Sequence, residues 1–188
     1  MRDFVKLGGI LFIITAVVAL VLAIGNNATK DKIAGLTKQA KAGAQIQVLK
    51  EAGEIDISTA QEYEVPEGTS VTAVTGYKAA DGKRFYAVSA SPKGYGGEVS
   101  IMVGIDEKLN VTGVSIIDNS KETPGLGSRV GEPSFYKQFI GKTKNIIVSK
   151  SQPSGNQIQA VTGATISSRA VTEGVNDAII AVEGVLGK

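Results

Sequence analysis

The sequence contains no cysteine, no histidine and no tryptophan. These absences exclude a disulfide, a thiolate or imidazole metal site, a cysteine nucleophile and a serine–histidine–aspartate triad. Any chemistry must therefore rest on carboxylates, lysine, tyrosine, hydroxyl groups and the backbone, or on a bound cofactor. We accordingly assign no metal ligand and no catalytic residue from the sequence.

Aromatic residues are scarce, and charge of neither sign dominates. Five Tyr and five Phe are few for stacking on bases, and 20 basic against 18 acidic residues give a net charge of +2. Nucleic-acid binding usually needs a concentrated basic face. We therefore expect no nucleic-acid partner.

One long apolar run lies near the N-terminus. The segment Leu7–Gly25 has no charged residue, and Thr15 is its only polar side chain. A membrane-spanning helix needs about 20 mostly apolar residues, so the segment predicts a single transmembrane anchor within residues 1–28. The alternative is a cleaved signal peptide with small residues at 23–25, although the apolar core of such a peptide is usually shorter, at about 7–15 residues.

Basic residues flank this segment on both sides. Arg2 and Lys6 precede it, which favours a cytoplasmic N-terminus by the positive-inside rule. Lys30 and Lys32 follow it and weaken the asymmetry. The prediction is a cell-membrane protein with one span and its soluble domain on the extracytoplasmic side.

Helix formers dominate the next stretch. Ile33, Leu36, Ala40, Ala44 and Val48 recur near helical spacing, which predicts a helix from Asp31 to about Ala52 with a thin apolar face. We assign residues 29–60 to a juxtamembrane helical segment and residues 61–188 to a folded domain.

The folded domain begins with strand patterns. Four segments are rich in Val, Ile, Tyr and Thr: Thr69–Gly76, Arg84–Ser91, Glu98–Ile105 and Val111–Ile117. Asp81-Gly82 between the first two is a dipeptide typical of tight hairpin turns. These segments predict a four-stranded antiparallel meander.

Helices and short strands follow the meander. Pro133–Ile140 predicts a short helix that buries Phe135, Phe139 and Ile140, and Asn145–Ser149 and Ile158–Val161 predict short strands. Ser168–Leu186 predicts a C-terminal amphipathic helix over the sheet. Its apolar face comprises Val171, Val175, Ala178, Ile179, Val182 and Leu186. The predicted fold class is α+β, with an antiparallel sheet and a C-terminal helix.

Two phosphate-loop patterns are incomplete. Gly141-Lys142-Thr143 lacks the first glycine of a P-loop, because Tyr136 stands there, and Val130 stands where a dinucleotide fingerprint starting at Gly125 needs its third glycine. The segment Glu122–Ser128 nevertheless offers backbone with few bulky side chains, which suits close approach to a flat ligand. The alternative is a wide turn.

A short strand followed by four hydroxyl residues and a helix occupies residues 159–168. Free N–H groups at a helix start attract anions, so this junction predicts a phosphate site. The alternative is ordinary N-capping by Thr165, Ser167 or Ser168.

Thr162-Gly163-Ala164-Thr165 resembles the (S/T)GAT sequence at which flavin transferases attach FMN through its phosphate to the final Thr. The chain from Leu7 to Lys188 resembles the G subunit of the Rnf complex, an ion-pumping ferredoxin:NAD oxidoreductase, to which the C subunit of the sodium-pumping NADH:quinone oxidoreductase is related. The resemblance also covers the anchor, Gly94–Gly97, the loop Lys121–Gly127, and Ser167–Val171. Gln159 stands where the transferase signature usually has Asp.

The resemblance implies a membrane-anchored electron carrier with covalent FMN, which works within a complex of several subunits and turns over no soluble substrate alone. The implied partners are the other proteins of the complex, the membrane and a flavin transferase. Thr165 would carry the phosphoester, and the surrounding cofactor contacts would come from Thr162, Gly163, Ala164, Ser167, Ser168, Glu122, Thr123, Pro124, Gly125, Leu126 and Gly127. Gly94–Gly97 is either a second wall or a plain turn. Two alternatives remain: a flavin domain of another extracytoplasmic reductase, including the sodium-pumping enzyme, and an anchored binding or structural module without cofactor.

Overall fold

A computed structural model describes residues 2–50 and 55–187. The chain divides into two compact units, one ending at Gln39 and the other beginning at Ala40. The described part of the first unit consists of helix alone, and the second unit holds the end of that helix, the sheet and the other helices.

Helix α1 (Arg2–Lys50) is continuous across the predicted anchor and the predicted juxtamembrane helix. Its part Phe4–Lys30 is long and apolar enough to cross a membrane, a property that a signal sequence shares. Ile33 and Leu36 are exposed, whereas Ala44 and Val48 are buried. The predicted apolar face is therefore buried only over its last two positions; residues 51 and 52 of the predicted helix lie outside the described residues.

The main sheet contains five antiparallel strands in sequence order rather than the predicted four. They are β1 (Ile55–Tyr63), β2 (Val71–Ala79), β3 (Arg84–Ala90), β4 (Ser100–Asp106) and β5 (Val111–Asp118). The four predicted strands correspond to β2–β5. The predicted meander topology is therefore confirmed, but the prediction missed one strand.

Strand β1 corrects the prediction that residues 29–60 are helical, since residues 55–60 are extended. The predicted boundary after residue 60 falls inside this strand. Its pairing with β2 is irregular between Asp56 and Gln61, where the Asp56 carboxylate accepts hydrogen bonds from Ser58 N–H and Oγ–H. A bulge interrupts the alternation of side chains, so the strand has no clean period of two in its sequence.

The β2–β3 hairpin closes at the predicted Asp-Gly pair. Gly82 has φ of +83° and donates its N–H to the Ala79 carbonyl at 2.9 Å. The Lys83 carbonyl accepts from Ala79 N–H, also at 2.9 Å. Glycine adopts such a φ without steric penalty, so the local sequence determines this turn.

Both faces of the sheet are covered. Helix α3 (Thr165–Leu186) packs on one face through the predicted stripe, in which Val171, Val175, Ala178, Ile179 and Val182 are buried. On the other face, Ala44, Val48 and Leu49 of α1 cluster with Tyr77, Phe85, Ala87 and Met102. Strands buried on both faces explain the nearly continuous apolar run of β4.

Gly104 of β4 allows helix α1 to approach closely. A Cβ at this position would lie 2.6 Å from Thr112 Oγ1 and 2.9 Å from the Val48 carbonyl oxygen. Gly104→Val should therefore lower the free energy of unfolding by about 1–3 kcal/mol through overpacking, measured by thermal or denaturant unfolding. Gly184→Ala is the control, because its helical site has open space; equal stabilities of the two variants would contradict the packing argument.

Short elements connect the sheet to α3. A 3₁₀ turn (Gly127–Gly131) precedes α2 (Pro133–Tyr136), which a second 3₁₀ turn (Lys137–Phe139) follows. The predicted helix over Pro133–Ile140 is therefore found as two short helical turns. They bury Phe135 and Phe139 as expected, but Ile140 is exposed, contrary to the prediction. Strands β6 (Ile147–Ser149) and β7 (Gln157–Gln159) form a separate parallel pair.

Candidate functional site

Three segments far apart in sequence meet around one cavity of about 500 Å³. They are the glycine-rich turn at 94–97, the loop at 122–127 and the start of α3. The lining residues are Tyr95, Glu122, Thr123, Leu126, Gly127, Gly163, Ala164, Thr165, Ile166 and Ser167.

The loop after β5 is held by its own hydrogen bonds. Asn119 Nδ2 donates to the Ser128 carbonyl at 2.6 Å, and Leu126 N–H donates to the Thr123 carbonyl at 3.1 Å. Gly125 has φ of +74° at the tip and donates its N–H to Ser128 Oγ at 3.0 Å. These bonds fold the loop so that Leu126 and Gly127 line the cavity.

Helix α3 begins three residues earlier than predicted, at Thr165. Its N-cap residue, Ala164, makes no side-chain cap hydrogen bond, and the Ser168 N–H donates to the Ala164 carbonyl at 3.0 Å. By helix geometry, the N–H groups of Thr165, Ile166 and Ser167 lie before this first intrahelical bond. They place partial positive charge at the cavity.

The hydroxyl groups at this helix start have different partners. Ser168 Oγ accepts from Val161 N–H at 3.0 Å and donates to the Ala164 carbonyl at 2.9 Å. Ser167 Oγ donates to Glu122 Oε2 at 2.6 Å. Thr165 is half-buried, and within the described residues its hydroxyl has no hydrogen-bond partner. Side-chain N-capping, the alternative for this junction, is therefore wrong.

The turn at 94–97 packs directly on the loop. Gly94 N–H donates to the Gly97 carbonyl at 2.7 Å, so the segment is a turn, and because its Tyr95 lines the cavity it is also part of the wall. A Cβ on Gly96 would lie 1.9 Å from the Lys121 carbonyl oxygen. The glycines are required by this close approach of two backbones, and the approach brings Tyr95 to the cavity.

The structure brings together most of the residues predicted for the site. Thr162, Pro124, Gly125 and Ser168 do not line the cavity. Thr162 instead lines a neighbouring depression with Gln159, Arg129 and Glu132, where the Arg129 guanidinium, bonded to Glu132 at 3.0 Å, lowers the pKa of that exposed carboxyl. Gln159 donates its N–H to Gln138 Oε1 at 2.7 Å.

Tyr95 and Ile166 were not predicted individually. Tyr95 is 70% exposed and Ile166 54% exposed, and both line the cavity, as expected where an apolar surface marks a ligand site. Tyr95 lies inside the glycine segment considered as a wall. Ile166 lies between two hydroxyl residues of the junction, and its apolar character among them was the signal in the sequence that could have identified it as a cavity residue.

The residues present fit FMN. The volume lies within the range of about 300–1,000 Å³ that small-molecule sites occupy. The free N–H groups of α3 suit a phosphate, and the apolar side chains of Leu126, Ile166 and Tyr95 suit an aromatic ring system. Gly163, with φ of +79°, keeps the backbone open beside Leu126.

Comparison with known families agrees with this geometry. The family model described as an FMN-binding domain matches residues 94–180, a range that includes all three segments of the cavity. The fold and the site thus agree with an FMN-binding domain over residues 94–180 of the second unit.

Relatives specify the family further. The chain is 36% identical over 194 residues to the G subunit of the Na(+)-translocating ferredoxin:NAD(+) oxidoreductase complex of Acetobacterium woodii, covering 93% of this chain and 89% of the relative. It is 33% identical over 147 residues to the proton-translocating counterpart of Clostridium ljungdahlii, covering 77% of each. The chain belongs to the family of G subunits of ion-translocating oxidoreductase (Rnf) complexes, which confirms the resemblance found in the sequence.

Solved structures support the fold alone. The C subunit of the Na(+)-translocating NADH-quinone reductase from Parabacteroides distasonis aligns with a TM-score of 0.52 at 22% identity, covering 62% of this chain and 64% of that one. NqrC of Shewanella oneidensis aligns with a TM-score of 0.50 at 17% identity, covering 72% of each.

Proposed function

We propose that this chain is the FMN-carrying, electron-transferring subunit of an ion-translocating oxidoreductase complex. The observation that carries the proposal is the cavity at the start of α3, which combines free N–H groups with an apolar rim. The family membership supports the complex, and the other subunits of that complex are the expected partners.

We further propose that FMN is joined to the protein through a phosphoester at Thr165. The support is threefold: the Thr162–Thr165 motif, the place of Thr165 on the cavity wall, and a hydroxyl with no partner among the described residues. The neighbouring Ser167 and Ser168 hydroxyls are already engaged in hydrogen bonds. Among the hydroxyl groups in the first turn of α3, Thr165 is therefore the available nucleophile.

The attachment requires a flavin transferase as a partner. Thr165 Oγ1 would form a bond to the phosphorus of an activated FMN donor, while the bond from phosphorus to the donor's leaving group would break and the hydroxyl proton would pass to a base on the transferase. The free N–H groups at the start of α3 would stabilise the negative charge that remains on the phosphodiester.

When bound, FMN supplies one- and two-electron redox chemistry that the side chains of this protein lack. The chain's residues position the group. Gly127 and Gly163 would allow close backbone approach, and Leu126, Ile166 and Tyr95 would provide apolar contacts. A direct test is absorbance and intact-mass analysis of the full-length chain made with a flavin transferase; a colourless protein of unmodified mass would refute the proposal.

We propose that Phe4–Lys30 anchors the chain in the cell membrane with the flavin domain on the extracytoplasmic side. The uncleaved protein should then stay with membranes after a high-salt wash, because about 20 apolar residues partition strongly into lipid. N-terminal sequencing and fractionation measure this. A mature N-terminus near Asn26, or an intact chain in the soluble fraction, would decide for the signal-peptide alternative.

A second candidate is a flavin subunit of a sodium-translocating NADH–quinone reductase, favoured by the fold shared with one protein of that enzyme. Both candidates predict a flavin on the same residue. The genes that neighbour this one, and the proteins that copurify with the chain, distinguish the two.

A further inference from the structure

Glu122 is a carboxylate buried in the wall of the cavity. It is 2% exposed. Its Oε1 accepts hydrogen bonds from Tyr95 N–H at 2.8 Å and Gly96 N–H at 3.3 Å, and its Oε2 accepts from Ser167 Oγ at 2.6 Å. Burying a charged group is costly unless hydrogen bonds compensate, and here three donors do so.

The donors come from different parts of the chain. Tyr95 and Gly96 belong to the glycine-rich turn, Ser167 belongs to the first turn of α3, and Glu122 itself belongs to the loop after β5. One side chain thus connects all three segments that line the cavity. Hydrogen bonds to an ionised acceptor are about twice as strong as neutral ones, so this connection is well suited to hold the walls in place.

Two glycines leave room for the carboxylate. A Cβ on Gly94 would lie 2.0 Å from Glu122 Oε1, and a Cβ on Gly127 would lie 2.2 Å from Oε2. Both oxygens are therefore confined by backbone as well as by hydrogen bonds. The arrangement fixes one negative charge at a defined place beside the cavity.

We propose that Glu122 is a positioning residue for the flavin, which joins the three walls of its pocket and sets a fixed negative charge beside it. The inference rests on the proposed FMN-binding function. A negative charge in the pocket wall opposes the addition of electrons to a bound group, so Glu122 holds the flavin's midpoint potential lower than a neutral residue would.

Two conservative variants separate the effect of side-chain length from the effect of charge at position 122. Glu122→Asp keeps the charge but is one methylene shorter, so it cannot contact Tyr95, Gly96 and Ser167 together. Glu122→Gln keeps the length: its oxygen accepts from the turn, and its amide donates to Ser167 Oγ, which can also act as an acceptor. Glu132→Gln is the matched control, since the Glu132 side chain is 46% exposed and does not line this cavity.

Hydrogen exchange on the flavin-free, full-length chain tests the joining role. In Glu122→Asp, exchange of the Tyr95 and Gly96 amides should accelerate about tenfold, as expected for one lost hydrogen bond. Glu122→Gln keeps these bonds in neutral form and should accelerate exchange less than Glu122→Asp does, and Glu132→Gln should stay near the parent rate. Unchanged exchange in Glu122→Asp would overturn the joining role.

Redox titration of the flavin-loaded chain tests the charge. Glu122→Gln should shift the midpoint potential to a more positive value, and Glu132→Gln should not. Equal potentials in Glu122→Gln and the parent would overturn the electrostatic role. If the parent chain binds no flavin, the proposed function fails, but the exchange measurements still decide whether Glu122 joins the three segments.

Discussion

Thr165→Ala is expected to abolish covalent flavin attachment completely when the chain is made with a flavin transferase. The substitution removes a hydroxyl that lies on the cavity wall and lacks a hydrogen-bond partner among the described residues. Alanine is a better helix former than threonine, so the start of α3 should remain intact. Denatured protein should be dark under flavin fluorescence on a gel, and its mass should equal that of the unmodified chain.

Two control variants test whether Thr165 is the residue that carries the flavin. Thr165→Ser keeps a hydroxyl at the same place and should retain label. Thr162→Ala should also retain label, because Thr162 is exposed and lines the neighbouring depression rather than the cavity. A fully fluorescent Thr165→Ala protein, or loss of label in Thr162→Ala alone, would assign the attachment elsewhere.

Gly127→Ala and Gly125→Ala should behave very differently, although the two glycines are only two residues apart. A Cβ on Gly127 would overlap Glu122 Oε2 and lie 2.9 Å from Ser167 Oγ. The variant must displace a buried hydrogen-bonded carboxylate, which should lower the free energy of unfolding by about 3 kcal/mol or more. A bound flavin should show a changed absorbance spectrum, because the displaced wall adjoins it.

Gly125 has open space around it, and only its φ of +74° resists a side chain. Gly125→Ala should therefore destabilise by about 1–2 kcal/mol and leave the flavin spectrum unchanged, since Gly125 does not line the cavity. Denaturant unfolding and visible absorbance measure both effects. Equal stability losses in the two variants, or an unchanged spectrum in a folded Gly127→Ala protein, would contradict the role of the loop as a wall.

Local patterns predicted the parts of the fold that local physics determines. The stripe of α3, strands β2–β5 and the Asp-Gly hairpin each depend on neighbours in sequence, and each is found as expected. Strand β1 was missed because Ala60, Gln61 and Glu62 favour helix, and a bulge removes the alternation that marks a strand. Its partner β2 determines its conformation, and pairing between strands is a tertiary interaction.

The site also has parts that the local sequence predicts and parts that depend on tertiary contacts. The motif Thr162–Thr165 and the loop of 122–127 were visible as segments, but nothing local shows that Glu122 bonds Tyr95 and Ser167, which are 27 and 45 positions away. The start of α3 at Thr165 rather than Ser168 also depends on tertiary contacts. Ser167 and Ser168 were predicted as candidate caps. Instead, the Ser167 hydroxyl donates to Glu122, and the Ser168 hydroxyl accepts from the Val161 N–H before the helix.

Tyr95, Ile166 and Leu126 form an open rim, and Leu126 is 45% exposed. A freely dissociating ligand would need a deeper, more enclosed pocket to stay bound at low concentration. If FMN is attached at Thr165 as proposed, it would stay near this rim at a high effective concentration whatever its intrinsic affinity. The pocket would then not need to enclose the flavin, which would remain accessible to an electron donor or acceptor that never enters the protein.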